Sequence, residues 1–257
     1  MPERPPARSP ADRAFRALAD AVLESRPRRP EDGVDPDVPV AATVVIVRES
    51  AVGPEVLMIE RPDRGSFAGA WVFPGGKVEP DDGDPIEEAA TALRAGTRET
   101  WEETGVRLDA DALVPLSCWD PPPGTPHRIR TWFFLAPDPG GPLVPAPDEV
   151  IAAEWVRPAD MLARHGRGEI TLYPPTWITL HDLSEQPDAG ALIDVARIGG
   201  LHRFETVARG GATGPMLLWH GDAAYDAVEG RDADARDAAS RHRLELASLP
   251  WVYTRTG

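Results

Sequence analysis

The nine residues Arg98-Glu99-Thr100-Trp101-Glu102-Glu103-Thr104-Gly105-Val106 gather three carboxylates beside one guanidinium. On an α-helix Glu102 and Glu103 follow Glu99 by three and four positions, so the 3.6-residue period stacks all three on one face. Like charges at that spacing repel, and the cluster becomes favourable only when something cationic neutralises it. A hard divalent ion, which prefers oxygen ligands, does this most simply. The plain alternative is a solvated acidic face on an acidic chain. Arg-Glu-x-x-Glu-Glu-x-Gly should arise by accident in about one such chain in a thousand, which favours the chemical reading.

Such a helix face needs elements that hold it against a second wall. Upstream lies Trp71-Val72-Phe73-Pro74-Gly75-Gly76-Lys77-Val78-Glu79-Pro80, an apolar run that breaks at a Pro-Gly-Gly turn. Two residues without side chains let the backbone approach an ion or phosphate. Asp84-Pro85-Ile86-Glu87 then reads as a helix start, with Asp at the N-cap, Pro at the first helical position and Glu completing a capping box. Gly105 supplies the stop. The unit is therefore expected to run strand, glycine loop, helix from about 85 to 104, and next strand. Leu93, Thr97 and Trp101, four residues apart, form the stripe expected to pack on a sheet.

Together these residues resemble the Nudix family, whose signature is Gly, five residues, Glu, seven residues, then Arg-Glu-apolar-x-Glu-Glu-x-Gly-apolar. The second half matches, with Thr100 in the first apolar place. Counting from Gly76, the Glu place falls on Asp82, and Arg98 lies sixteen positions after Asp82 where the family has eight. The surplus, about two helical turns, is expected to lengthen the N-terminal end of the helix and alter the pocket rim. An expanded box of this kind looks like the branch that contains the peroxisomal coenzyme A diphosphatases and bacterial relatives. In that branch the preceding loop carries a basic residue and a Gly four positions before Phe-Pro-Gly-Gly. Gly69 and Phe73 keep that spacing, while the basic place shifts to Arg61 or Arg64.

The resemblance implies an α/β Nudix fold, a mixed β-sheet sandwiched between helices. It implies a metal-dependent pyrophosphatase: water attacks one phosphorus of a diphosphate in a nucleoside diphosphate derivative, with Mg²⁺ or Mn²⁺ as cofactor. The ligands it implies are Glu99, Glu102, Glu103 and the backbone carbonyl of Gly75. Arg98 would clamp a neighbouring carboxylate, a bidentate role that Lys fills less well. Glu99, Glu103 and Glu149 are candidates for the carboxylate that takes the proton of water. Substrate candidates are coenzyme A or acyl-coenzyme A, and alternatively ADP-ribose, NADH or a nucleotide sugar. Arg61, Arg64, Lys77, Arg128 and Arg130 are the candidate substrate contacts. Lys77 is the chain's sole lysine, and Arg128 and Arg130 share one strand face opposite Ile129. A catalytically inactive nucleotide-sensing module is a second reading of the same fold. An isomerase of allylic diphosphates is a third, resting on Cys118.

The formal net charge of -15 disfavours a nucleic-acid polymer or an anionic membrane as partner. No run of eighteen apolar residues and no apolar signal core are present, so a soluble cytoplasmic protein is expected. The single Cys118 permits no internal disulfide and reads as a core hydrophobe. Residues 1–38, rich in Pro and Arg, are expected to form a flexible segment with one helix-compatible piece at 11 to 24, striped by Phe15, Leu18, Val22 and Leu23. Residues 39–188 are assigned to the Nudix domain. Residues 189–257, with short strands around an acidic stretch at 222 to 237, are assigned to a small β-rich C-terminal extension separable from catalysis. His220 and His242 within it read as satisfied polar groups. Family members often dimerise, which makes a homodimer a candidate state, although Trp119, Trp132 and Trp155 read as core.

Overall fold

Buried, β-branched runs and Gly-Pro turns build one large mixed sheet and one small antiparallel sheet. The computed structural model describes residues 16, 19–20, 24–65, 67–125, 128–211, 214–226 and 240–256. In chain order the elements are β1 Val40–Ser50, β2 Gly53–Glu60, β3 Trp71–Val72, β4 Gly75–Lys77, helix α1 Glu88–Thr104, β5 Val114–Asp120, β6 Arg130–Pro137 and β7 Ala152–Val156. Helices α2 Pro158–Gly166, α3 Pro174–Ser184 and α4 Ala189–Gly199 follow, and then strands β8 His202–Glu205, β9 Val207–Gly211, β10 Gly214–Leu218, β11 His242–Glu245 and β12 Val252–Arg255. The large sheet is ordered β3-β2-β1-β6-β5-β8, with β4 paired to β1 and β7 to β2. The central β1–β6 pair is parallel, Val44 lying opposite Phe134.

Alternation along the central strands gives the sheet two apolar faces. Val44, Ile46, Trp132 and Phe134 meet Ala92 and Ala95 of α1 on one side. Val45, Val47, Phe133 and Leu135 meet α2, α3 and α4 on the other. The mixed sheet between helices is thus as expected, and so is a separate four-stranded C-terminal sheet, β12-β11-β10-β9.

Three expectations about this helix change. The α-helix begins at Glu88, preceded by 3₁₀ turns at Pro80–Asp82 and Pro85–Glu87, so part of the surplus is spent on turns rather than on regular helix. Asp84 accepts from the Ile86 N–H at 2.9 Å, a one-sided cap rather than a reciprocal box. The buried stripe of α1 is Ala92, Ala95, Gly96 and Thr100, while Trp101 is 46% exposed under the guanidinium of Arg107. Small residues win because the helix lies close on the sheet: a Cβ at Gly96 would stand 3.1 Å from Val44 Cγ2.

The segment boundaries also move. Within the N-terminal 38 residues, Asp32 and Val38 are buried. Arg26 donates through its amide to the Pro123 carbonyl at 3.0 Å, and Arg28 donates to the carbonyls of Pro121 and Thr206. Residues 24–38 therefore lie packed along the sheet, whereas most of the 11 to 24 piece falls outside the described residues. At the other end α4 is a helix, and β8 extends the large sheet in parallel beside β5. Phe204 of β8 stacks on Trp119 at 3.7 Å, with Trp219 edge-on to both. A cut at 188/189 would run through one continuous core. Most of the acidic 222 to 237 stretch lies outside the described residues. His220 pairs with Glu205 at 2.7 Å, and His242 meets the His220 carbonyl and the Tyr253 hydroxyl.

Candidate metal centre

Helix α1 ends at a left-handed Gly105 whose N–H returns to the Trp101 carbonyl, and this fixes its last turn against β4 and the loop before β7. Glu99, Glu103 and Glu149 each bring a carboxylate oxygen there, all within 4.8 Å of one another. Gly75 holds the opposing wall. Its φ of 153° is one that side-chain-bearing residues rarely adopt, and a Cβ there would sit 2.2 Å from the Ala42 carbonyl oxygen. Its N–H donates to Glu103 Oε2 at 2.8 Å. At Gly76 a Cβ would fall 2.2 Å from the carboxyl carbon of Glu99, so the glycine pair lets strand and carboxylates touch.

Burial pushes Glu103 up to about 7, against the opposing pull of the Gly75 N–H and of Arg61, whose Nη1 stands 3.1 Å away. Burial raises Glu99 too, with Arg98 resisting. Anionic oxygens held together at this cost in desolvation form a donor set that fits a hard divalent cation.

Arg98 is the hub behind the cluster. It forks onto Asp82 at 2.9 and 3.0 Å, reaches Glu99 at 3.0 Å and Glu102 at 2.9 Å, and donates to the Lys77 carbonyl. That fork holds the Asp82 carboxyl below its usual range. Asp82, sixteen residues away in sequence, is therefore the acidic partner that orients the arginine. The signal was its place at the displaced Glu position of the signature. Glu102, by contrast, pairs with Arg98, is substantially exposed and stands outside the three-carboxylate group.

A cleft of about 330 Å³ opens onto the carboxylates, with Arg61, Gly76, Lys77 and Phe133 among its lining residues. The candidate substrate contacts divide. Arg61 and Lys77 line the cleft. Arg64 donates instead to the Asp148 carbonyl at 2.6 Å, next to Glu149. Arg128 and Arg130 are corrections: Ile129, Thr131 and Phe133 face the cleft, so alternation turns Arg130 away from it. Arg130 is buried between Asp120 at 2.7 Å and Glu88 at 2.9 Å, and Arg128 pairs with Asp35 at 3.1 Å. Cys118 is fully buried beside Trp132 and Phe134, on the sheet face turned to α1, with its thiol pushed up to about 12. It offers no acid for an isomerase. Sequence reasoning left Tyr173, Thr176 and Thr131 of the cleft wall unassigned, since isolated aromatics and threonines carry no spacing signal.

With this geometry in place, comparison with known proteins decides the family. A model of the NUDIX domain matches residues 38–175, more than half of the 257-residue chain. The chain belongs to the Nudix family. A Nudix hydrolase structure from Alicyclobacillus acidocaldarius is 25% identical, covers 62% of this chain and 96% of its own, and superposes with a TM-score of 0.55. The human m7GpppN-mRNA hydrolase NUDT17 is 32% identical over 154 residues, 54% of this chain. The chain spans only 44% of that relative's length. A MutT-like protein of Streptomyces ambofaciens is 28% identical over 137 residues, 53% of this chain and 75% of the relative. Nudix hydrolases generally use divalent metal ions, in keeping with the donor set at Glu99, Glu103 and Glu149. Among the described residues no helix is long and apolar enough to cross a membrane.

Proposed function

We propose that this Nudix chain hydrolyses the diphosphate linkage of a nucleoside diphosphate derivative, using Mg²⁺ or Mn²⁺. The observation that carries the reading is the convergence of Glu99, Glu103 and Glu149 within 4.8 Å on the wall of a cleft. Those three would hold the ion, with the Gly75 carbonyl and Glu102 as the further ligands that the family signature implies. When bound, the ion would neutralise the diphosphate and lower the pKa of a water. Arg98, anchored by Asp82, keeps Glu99 aimed, and Arg61 and Lys77 supply positive charge at the phosphates. Glu149 takes the proton of water through the carboxylate oxygen that the ion would leave free: its carboxylate carries no hydrogen bond or ion pair among the described residues, whereas Glu99 is committed to Arg98 and Glu103 to Arg61 and Gly75. The inactive-sensor reading gives no reason to keep the whole set, Arg98 and Asp82 included.

The expanded box favours coenzyme A or its acyl forms as substrate, cleaved to an adenosine phosphate and a phosphopantetheine. Against it, the 3′-phosphate of coenzyme A requires an additional cation, and Arg128 and Arg130 point elsewhere. ADP-ribose, NADH or a nucleotide sugar needs only the cations the cleft has. The human relative's name refers to a capped mRNA, and a charge of -15 speaks against an RNA body as partner here. Comparing kcat/KM for coenzyme A, its 3′-dephospho form and ADP-ribose tests the choice. Faster turnover of ADP-ribose, or indifference to the 3′-phosphate, removes coenzyme A.

A further inference from the structure

The loop between β2 and β3 has a role beyond linking strands. Within ten residues it touches each wall of the cleft. Arg61 pairs with Glu103 of α1, Arg64 donates to the carbonyl of Asp148 beside Glu149, and Phe67 places its ring 4.8 Å from that of Tyr173, edge to face. Phe67 also has a φ of 58°, a left-handed conformation uncommon in a bulky residue without glycine's freedom. The residue is 40% exposed. The strained backbone thus presents an aromatic ring on the cleft wall. The surrounding chain enforces it: Ala70 donates to the Phe67 carbonyl at 3.1 Å, and Gly69 to that of Pro62 at 3.2 Å.

Tyr173 reaches the same place from the start of α3. Ala70 bridges Thr171, and the Trp71 N–H donates to the Thr171 carbonyl at 2.9 Å. Phe67 stands three residues before this stitch and Tyr173 two residues after it, so the two rings are mounted on one hydrogen-bonded support. In this edge-to-face pair Phe67 is the exposed member, and Phe67 and Tyr173 both line the cleft that holds the carboxylates. Pro175 and Ile129 continue this wall without charge. The cleft lining thus combines carboxylates and two cations with aromatic carbon.

Resting on the reading above, we propose that Phe67 and Tyr173 form a stacking subsite for the planar heteroaromatic base of the substrate's nucleoside, while its diphosphate lies at the carboxylates. The pair sets preference for a base over an aliphatic chain at that end, and it does so by ring face rather than by apolar area alone.

The test measures binding, so that it stands apart from turnover. Calorimetry with Mg²⁺ and the full chain compares α,β-methylene-ADP, which resists hydrolysis, with methylenediphosphonate, which has the same phosphorus chemistry and no base. The wild type should bind the nucleotide at least tenfold more tightly, in line with the usual worth of one base–aromatic stack. Phe67→Ala and Tyr173→Ala should each remove most of that advantage. Phe67→Trp should retain it, and Phe67→Leu, which keeps apolar bulk without a ring face, should lose it. Equal affinity for the two probes in the wild type would overturn the proposal, as would an advantage that survives in Phe67→Leu. A nucleotide advantage that follows this pattern in a chain that hydrolyses nothing would uphold the subsite while removing the hydrolase reading.

Discussion

At the scale of the residue, the site is built on carboxylates that share a helix yet differ in their surroundings. Glu103 is buried and in the cluster, whereas Glu102 is substantially exposed and tied to Arg98. Glu103→Gln keeps size and removes charge, so hydrolysis should fall by about two orders of magnitude or more, while Glu102→Gln should cost about tenfold, both read as kcat/KM at saturating Mg²⁺. Glu103 also makes a pH prediction. Its folded value of about 7 lies above the usual 4.5, so its contribution to stability is complete below pH 4.5 and is lost as pH rises through 7. Thermal melts in chelator should show Tm falling between pH 5 and 8, with that part of the fall missing in Glu103→Gln. The carboxylate cluster was legible because helical spacing fixes which side chains share a face. The division of labour inside it was not, since it depends on Asp82 claiming Arg98 and on the reach of Glu149 from a separate loop.

At the scale of the element, α1 works by lying close on the sheet. Ala92, Ala95 and Gly96 make that approach possible, and Gly96→Val would drive its side chain into Val44 and Ala42. Overpacking of this kind should destabilise the protein by roughly 1–3 kcal/mol and lower Tm, measured by calorimetry. Activity should fall with it, because the same displacement moves Glu99 and Glu103 away from Gly76 and Gly75. A four-residue hydrophobic repeat pointed to Leu93, Thr97 and Trp101, of which Leu93 does pack against that face while Trp101 is exposed. Periodicity rewards size, whereas a helix pressed on a sheet through small side chains presents a face that hydrophobicity barely marks. The face of Arg130 was misjudged for a related reason. The strand's period of two separated its side chains correctly into two sets, but only the sheet's neighbours decide which set meets the cleft: Glu88 and Asp120 lie on the arginine's side.

At the scale of the whole molecule, the C-terminal residues belong to the core that supports the site. Leu192 and Ala196 of α4, Phe204 of β8 and Trp219 share one cluster with Trp119, Phe133 and Leu135. A chain ending at residue 188 loses those side chains at roughly 2–5 kcal/mol for each large one, and should lack a cooperative melt by circular dichroism. A folded, metal-binding fragment of that length would show the C-terminal part to be dispensable. The boundary was not legible because β8 joins the sheet by a parallel pairing that local sequence does not encode. The proposal common to these scales is that the carboxylates beside Gly75 and Gly76 form the metal centre of a diphosphate hydrolase. The most direct measurement follows mononucleotide release from coenzyme A, ADP-ribose and NADH by the full chain, titrated with Mg²⁺ and with Mn²⁺, in the wild type and in Glu103→Gln. The account predicts that at least one of them is hydrolysed, only with metal, and that Glu103→Gln all but abolishes the reaction. Hydrolysis that proceeds in chelator, or that is unaltered in Glu103→Gln, would contradict it.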